Sequence, residues 1–171
     1  MKFRRLIKKE KGFTLIELVV ALAITGIIGL GAGAATYHVM TQSDQNTAAT
    51  SARHQALNAI HWMSRDVQMA QTVSPEGASG FPLTLRWVAW DNVGHEVVYS
   101  IVDGNLTRSY SNDSGEETEA VVAQYINPDA EMTNCTFSGE VLTLKITATI
   151  GEGLHAVSVG KVREVAPRPG L

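Results

Sequence analysis

The chain has a single cysteine, Cys135, and no proline before Pro75. The lone cysteine excludes an internal disulfide, so the fold rests on its core. Cys135 lies in a polar stretch without a paired histidine motif, which fits a quiet structural thiol and not a catalytic one. The late first proline, with no glycine from Tyr37 to Val73, leaves nothing to interrupt a long helix. The chain also lacks a nucleophile–base motif, a phosphate loop and a metal-ligand pattern. His54 and His61 are seven apart and do not make H-E-x-x-H. No catalytic residue, metal or cofactor is therefore expected, and an enzyme is disfavoured.

Cations are scarce after the first twelve residues. That opening segment holds Lys2, Arg4, Arg5, Lys8, Lys9 and Lys11 against Glu10, a net of +5. The rest has 8 basic and 16 acidic residues, a net of −8, behind an overall charge of −3. Phosphate neutralisation needs clustered Lys and Arg, so nucleic acid is not an expected partner. A positive head on an acidic body reads instead as a topology signal.

Phe13 to Ala35 then runs FTLIELVVALAITGIIGLGAGAA, 23 residues with one charge, Glu17. As a helix it extends roughly 34 Å, enough to cross a bilayer core. The basic cluster places residues 1–12 on the cytoplasmic side, with the remainder beyond the membrane. Three readings fit such a segment. One is a plain single-pass anchor. Another is an ordinary secretory signal peptide, for which Ala32-Gly33-Ala34 offers an A-x-A site. Its apolar run exceeds the usual h-region of roughly 7–15 residues and carries a carboxylate. The third is a prepilin leader.

Lys11-Gly12-Phe13-Thr14-Leu15-Ile16-Glu17-Leu18-Val19-Val20 resembles the signal of type IV pilins and type II secretion pseudopilins, with basic leader, glycine, Phe-Thr-Leu-Ile-Glu and apolar helix in order. The resemblance implies cleavage between Gly12 and Phe13 by a prepilin peptidase, and N-methylation of the new N-terminus, Phe13. It also implies partners: other pilin or pseudopilin subunits, an inner-membrane assembly platform and membrane lipid. The physics of Glu17 points the same way. A carboxylate at a bilayer centre costs about 2.5–3.5 kcal/mol. The apolar segment has no cation for it, but the α-amino group of a neighbouring Phe13 would supply one. Glu17 near a helix start also suits the helix dipole, and the two roles are compatible.

Gly29 and Gly33 make a G-x-x-x-G spacing, which lets helices approach closely in lipid, or merely marks a small-residue anchor. Many pilins carry a proline in this part of the helix, whereas Ala34 stands here. Ala49, Ala52, Ala56, Ile60, Met63, Val67 and Ala70 then recur in steps of three and four, predicting an amphipathic helix that Ser74-Pro75-Glu76-Gly77 ends. His54, His61, Arg65 and Asp66 are expected on its solvated face. Beyond Pro82 the period becomes two. Strands are predicted at 83–87, 96–102, 105–110, 120–126, 141–150 and 155–165, with a tight turn at Asp103-Gly104. The stretch 111–119, with Asp113, Glu116, Glu117 and Glu119, reads as a solvated acidic loop, and 166–170 as a loose tail. Of Trp62, Trp87 and Trp90, two are expected in the core. The segment HWMSRDVQMA (61–70) and the meander VVYSIVDGNLTRSY (97–110) are similar to J-type minor pseudopilins.

The expected fold is α+β: a long N-terminal helix, its first half transmembrane, packed on an antiparallel β-sheet. The expected parts are a leader (1–12), a membrane and assembly helix (13–35), an amphipathic helix (36–75) and a sheet domain (76–171). The expected function is that of a minor pilin or pseudopilin at the tip or in initiation of a type II secretion pseudopilus or type IV pilus. A major pilin, a competence pseudopilin, and a secreted or anchored binding domain with an ordinary signal peptide stand as alternatives.

Overall fold

The structure, a computed structural model, describes residues 12–169. Residues 1–11 of the expected leader, and Gly170 of the expected tail, lie outside the described residues. The protein is α+β, with one long helix and antiparallel sheets. Contacts divide the chain into two units, Met1–Ser43 and Asp44–Leu171. Helix α1 covers Leu15–Met69.

In the first unit the helix is apolar all round. Leu15, Ile16, Leu18, Val19, Val20, Leu22, Ile24, Ile27, Ile28 and Leu30 are all exposed. A helix of this kind is stable only inside lipid or among other helices. Its threonines settle their hydrogen bonds locally. Thr25 and Thr36 donate their hydroxyl protons to the carbonyls of Ala21 and Ala32, at 2.7 and 2.9 Å, which removes the cost of an unpaired hydroxyl in an apolar medium.

In the second unit the same helix has one buried stripe: Ala52, Ala56, Ala59, Ile60, Met63 and Val67. These residues share one hydrophobic core with side chains of the strands. Two sheets receive it. One has the order β1-β2-β3-β4-β5, built from Thr72–Glu76, Gly80–Val88, Gly94–Val102, Asn105–Asn112 and Glu117–Ala123. The other has the order β6-β7-β8, from Asn134–Ser138, Val141–Ile150 and Val157–Val165. Leu83, Leu85, Val97, Tyr99 and Leu106 from the first sheet join Leu142, Leu144, Ile146 and Ala148 from the second in one core.

Several boundaries differ from the sequence reading. The helix stops at Met69, before the expected Ser74-Pro75 signal, and Thr72–Glu76 is strand β1. Pairing decides this: the Gln71 amide donates to the Arg86 carbonyl at 2.8 Å, and Thr72 to Pro75 register against Arg86 to Leu83. Pro75 is tolerated because β1 is an edge strand. The acidic loop is also shorter than expected. Ser111 and Asn112 belong to β4, and Glu117–Glu119 to β5. The Asn112 side chain closes the turn between them, accepting from the amides of Ser114 and Glu116 at 3.1 and 2.9 Å.

The expected single sheet is two, because 124–133 leaves the first sheet. Its backbone turns at Tyr125, whose φ is +59°, and touches the second sheet through the Ile126–Ala148 bridge. Strand β6 was not expected, and β8 begins at Val157, after a short 3-10 turn at Gly153–His155. The Asp103-Gly104 turn is where the sequence puts it. Both residues have positive φ, +50° and +74°, as a type I′ hairpin requires. Gly80 is a position only glycine fits. Its φ is +76°, and a Cβ there would overlap the Cys135 carbonyl.

Candidate functional site

The site begins at the start of α1. Gly12 and Phe13 precede the helix and are exposed. Thr14 is the N-cap and Glu17 lies three residues on, so T-L-I-E forms a capping box. The Glu17 Oε2 accepts from the Thr14 amide at 2.9 Å and from its hydroxyl at 2.8 Å. The Thr14 Oγ1 accepts in turn from the Glu17 amide at 3.3 Å. The carboxylate thereby satisfies a donor that the first turn leaves unpaired and lies at the positive end of the helix. Within the chain it has no basic side-chain partner among the described residues.

Further along, Gly29 and Gly33 share a face of the helix. A Cβ built on either meets nothing within 4 Å, so no packing among the described residues demands glycine there. The helix contains a stretch long and apolar enough to cross a membrane, none of it buried. Gly12, Phe13, Glu17, Gly29 and Gly33 therefore all lie on an exposed N-terminal segment.

A second polar cluster lies within the sheet domain. Asp66, expected on the solvated face, is wholly buried at 0% exposure. Its position three after Met63 and four before Ala70 places it on the buried stripe, a signal the periodicity contained. The Tyr99 hydroxyl and the Arg108 Nε both donate to Asp66 Oδ2 at 2.6 Å. Burial, reinforced by the Asp66 charge, pushes the Tyr99 phenol far above its usual range. Burial opposes the Arg108 charge, but hydrogen bonding and attraction to Asp66 outweigh it, so its pKa rises. Asp66 Oδ1 and Ser64 Oγ are buried without a hydrogen-bond partner among the described residues.

Aromatic rings extend from this cluster. The Arg108 guanidinium lies 5.8 Å from the Trp62 ring and 5.4 Å from the Tyr110 ring, within cation–π range. Tyr110 Oη and His95 Nδ1 share a hydrogen bond at 2.8 Å, and His95 stacks on Trp87 with ring centroids 5.3 Å apart. Trp62 and Trp87 pack against the core, whereas Trp90 is exposed. His54, His61 and Arg65 are exposed as expected. Among the described residues no three His, Cys, Asp or Glu side chains converge as a cation site would need. Nothing in the cluster joins a nucleophile to a base. It ties helix to sheet.

Together these features describe an α+β chain with one helix long and apolar enough to cross a membrane. Residues 7–33 match the family described as the prokaryotic N-terminal methylation motif. The match spans Gly12, Phe13, Glu17, Gly29 and Gly33. It supports a prepilin-type pilin or pseudopilin subunit and suggests a structural role. It implies processing by a prepilin peptidase and assembly with other pilin subunits. Motif and apolar helix together fit an inner-membrane-anchored pilin. No curated protein and no solved structure matches the chain.

Proposed function

We propose that the chain is a minor pilin or pseudopilin that acts at the tip or in initiation of a type II secretion pseudopilus or type IV pilus. The peptidase cuts between Gly12 and Phe13, and Phe13 is N-methylated. One observation carries this reading: a methylation motif followed by a helix whose apolar stretch from Leu15 to Leu30 is uncovered. Such a surface needs lipid before assembly and neighbouring helices after it.

Glu17 then has two successive duties. It caps its own helix through Oε2, and in the filament it pairs with the Phe13 ammonium of a neighbour, which methylation leaves charged. Gly29 and Gly33 let a neighbouring helix approach. Each glycine costs a helix about 1 kcal/mol, and no contact within the chain offsets it. Two features favour a minor subunit. The helix has no proline, unlike that of many pilins, and the segments 61–70 and 97–110 resemble J-type minor pseudopilins.

A Gly12→Val substitution tests the pathway. In cells with a prepilin peptidase, the wild-type chain is expected to lose residues 1–12 while the variant keeps them and stays out of filaments. Normal processing of Gly12→Val, or unprocessed wild type in assembled filaments, overturns the proposal.

A further inference from the structure

The segment that leaves the first sheet turns on a strained tyrosine. Tyr125 holds a φ of +59°, a left-handed conformation that glycine and asparagine adopt readily and a bulky residue rarely does. Its neighbours fix the backbone there. The Ile126 amide donates to the Gly104 carbonyl, and the Thr149 amide to the Tyr125 carbonyl, both at 2.8 Å. The Gln124 amide donates to Gln55 Oε1 at 2.9 Å. These bonds require the turn, but none of them requires a tyrosine. The ring is 54% exposed and stands outside the core. Its hydroxyl makes no hydrogen bond among the described residues.

Beside the ring lies a cavity of about 430 Å³, within the roughly 300–1,000 Å³ of small-ligand sites. Asp103, Asn105, Gln124, Asn127 and Thr149 line it together with Tyr125. Asn127 Nδ2 donates to Thr149 Oγ1 at 3.4 Å. The side chains of Asp103, Asn105 and Gln124 have no hydrogen-bond partner among the described residues. Planar polar groups left open around an exposed ring fit a ligand with an apolar face and an edge of hydroxyls. A carboxylate accepts from two adjacent hydroxyls, and an amide both donates and accepts. A pyranose is such a ligand, and its C–H face packs on an aromatic ring. Asp103 is the one charged group among the described lining residues. A phosphate, sulfate or uronate would meet that carboxylate with no cation to offset it.

We infer that this cavity binds a neutral hexopyranose, with its C–H face on the Tyr125 ring and its hydroxyls on Asp103, Asn105 and Gln124. The site lies wholly in the sheet domain and goes beyond the assembly reading, which stands or falls separately.

Isothermal titration calorimetry of the full-length chain, in a detergent without sugar headgroups, tests this. The probes are glucose and N-acetylglucosamine as free sugars, cellohexaose and chitohexaose as neutral chains, and hexagalacturonate as an anionic chain. At least one neutral probe is expected to bind with millimolar or tighter affinity, and hexagalacturonate at least tenfold more weakly. Binding of a chain without its monomer assigns the site to a glycan, and equal binding of the monomer assigns it to a free sugar. Tyr125→Asn is expected to weaken binding at least tenfold. It should hold the unfolding temperature within about 4 °C of wild type or above it, since asparagine keeps the left-handed turn with less strain. Asp103→Asn, also compatible with its φ of +50°, is expected to weaken binding about tenfold. No binding of any neutral probe, binding indifferent to either substitution, or hexagalacturonate bound as tightly as the neutral probes overturns the inference. So does a larger fall in unfolding temperature for Tyr125→Asn, which would make Tyr125 a structural residue.

Discussion

One helix meets two environments. Between Leu15 and Met40 its large apolar side chains are exposed on every side. From Ala52 to Val67 one stripe, largely apolar, is buried. The two stretches differ equally in their carboxylates. Glu17 lies on the exposed stretch and, among the described residues, bonds to its own N-cap. Asp66 lies in the core and holds a phenol and a guanidinium from two strands. Residues of this chain cover the second stretch; among the described residues none covers the first. Sequence hydrophobicity alone does not separate these cases, but its distribution around the helix does.

Substitutions can break this contrast. Asp66→Ala should cost the sheet domain about 3–5 kcal/mol, because it strands the Arg108 charge in a largely buried position. Denaturant unfolding of the full chain in detergent, followed by tryptophan emission, measures it. Replacing Asp66 and Arg108 together with Leu and Met should recover most of that loss. Next in size, Met63→Ala should cost about 2–5 kcal/mol, while Leu22→Ala, on the exposed stretch, should change stability by less than about 0.5 kcal/mol. Equal effects of the two would collapse the distinction between the stretches.

Glu17→Ala should act the other way round. It should leave the unfolding of the sheet domain unchanged and permit cleavage at Gly12, yet lower incorporation into filaments about tenfold, the equivalent of about 1.4 kcal/mol. Immunoblots of sheared filament and membrane fractions give the ratio, and normal incorporation would refute the pairing role.

The smallest expected effect concerns Cys135. Burial pushes its thiol from an ordinary 9.0 up to about 12. A raised folded-state pKa means that its contribution is intact below pH 9 and is lost as pH climbs toward 12. Stability should thus fall by about 1 kcal/mol between pH 9 and 10, a decline that Cys135→Ala removes. Above pH 10 the buried Tyr99 phenol adds a decline in the same direction.

The parts legible in the sequence were those set by local chemistry. The Lys11–Val20 motif, the apolar run and the Asp103-Gly104 turn need only neighbouring residues to define them. What escaped depends on distant partners. Thr72–Glu76 is a strand because Leu83–Arg86 pairs with it, not through its own composition. Strand β6 is short and polar, and is held by register with Val141–Lys145. The Asp66 cluster joins residues 33 and 42 positions apart. Its sequence trace was the place of Asp66 on the Met63–Ala70 stripe, where a charge reads as an interruption of the pattern rather than as part of the core. Thr14 as the partner of Glu17 was legible in principle, since T-x-x-E before an apolar run is a capping box.

The central claim is that the exposed stretch of α1 becomes the N-terminal element of a processed, assembled subunit. Mass spectrometry of the mature chain from native membranes tests it most directly. The account predicts an N-terminus at N-methylated Phe13, with residues 1–12 removed. A mature chain beginning near Ala35, or retaining Met1, would contradict it.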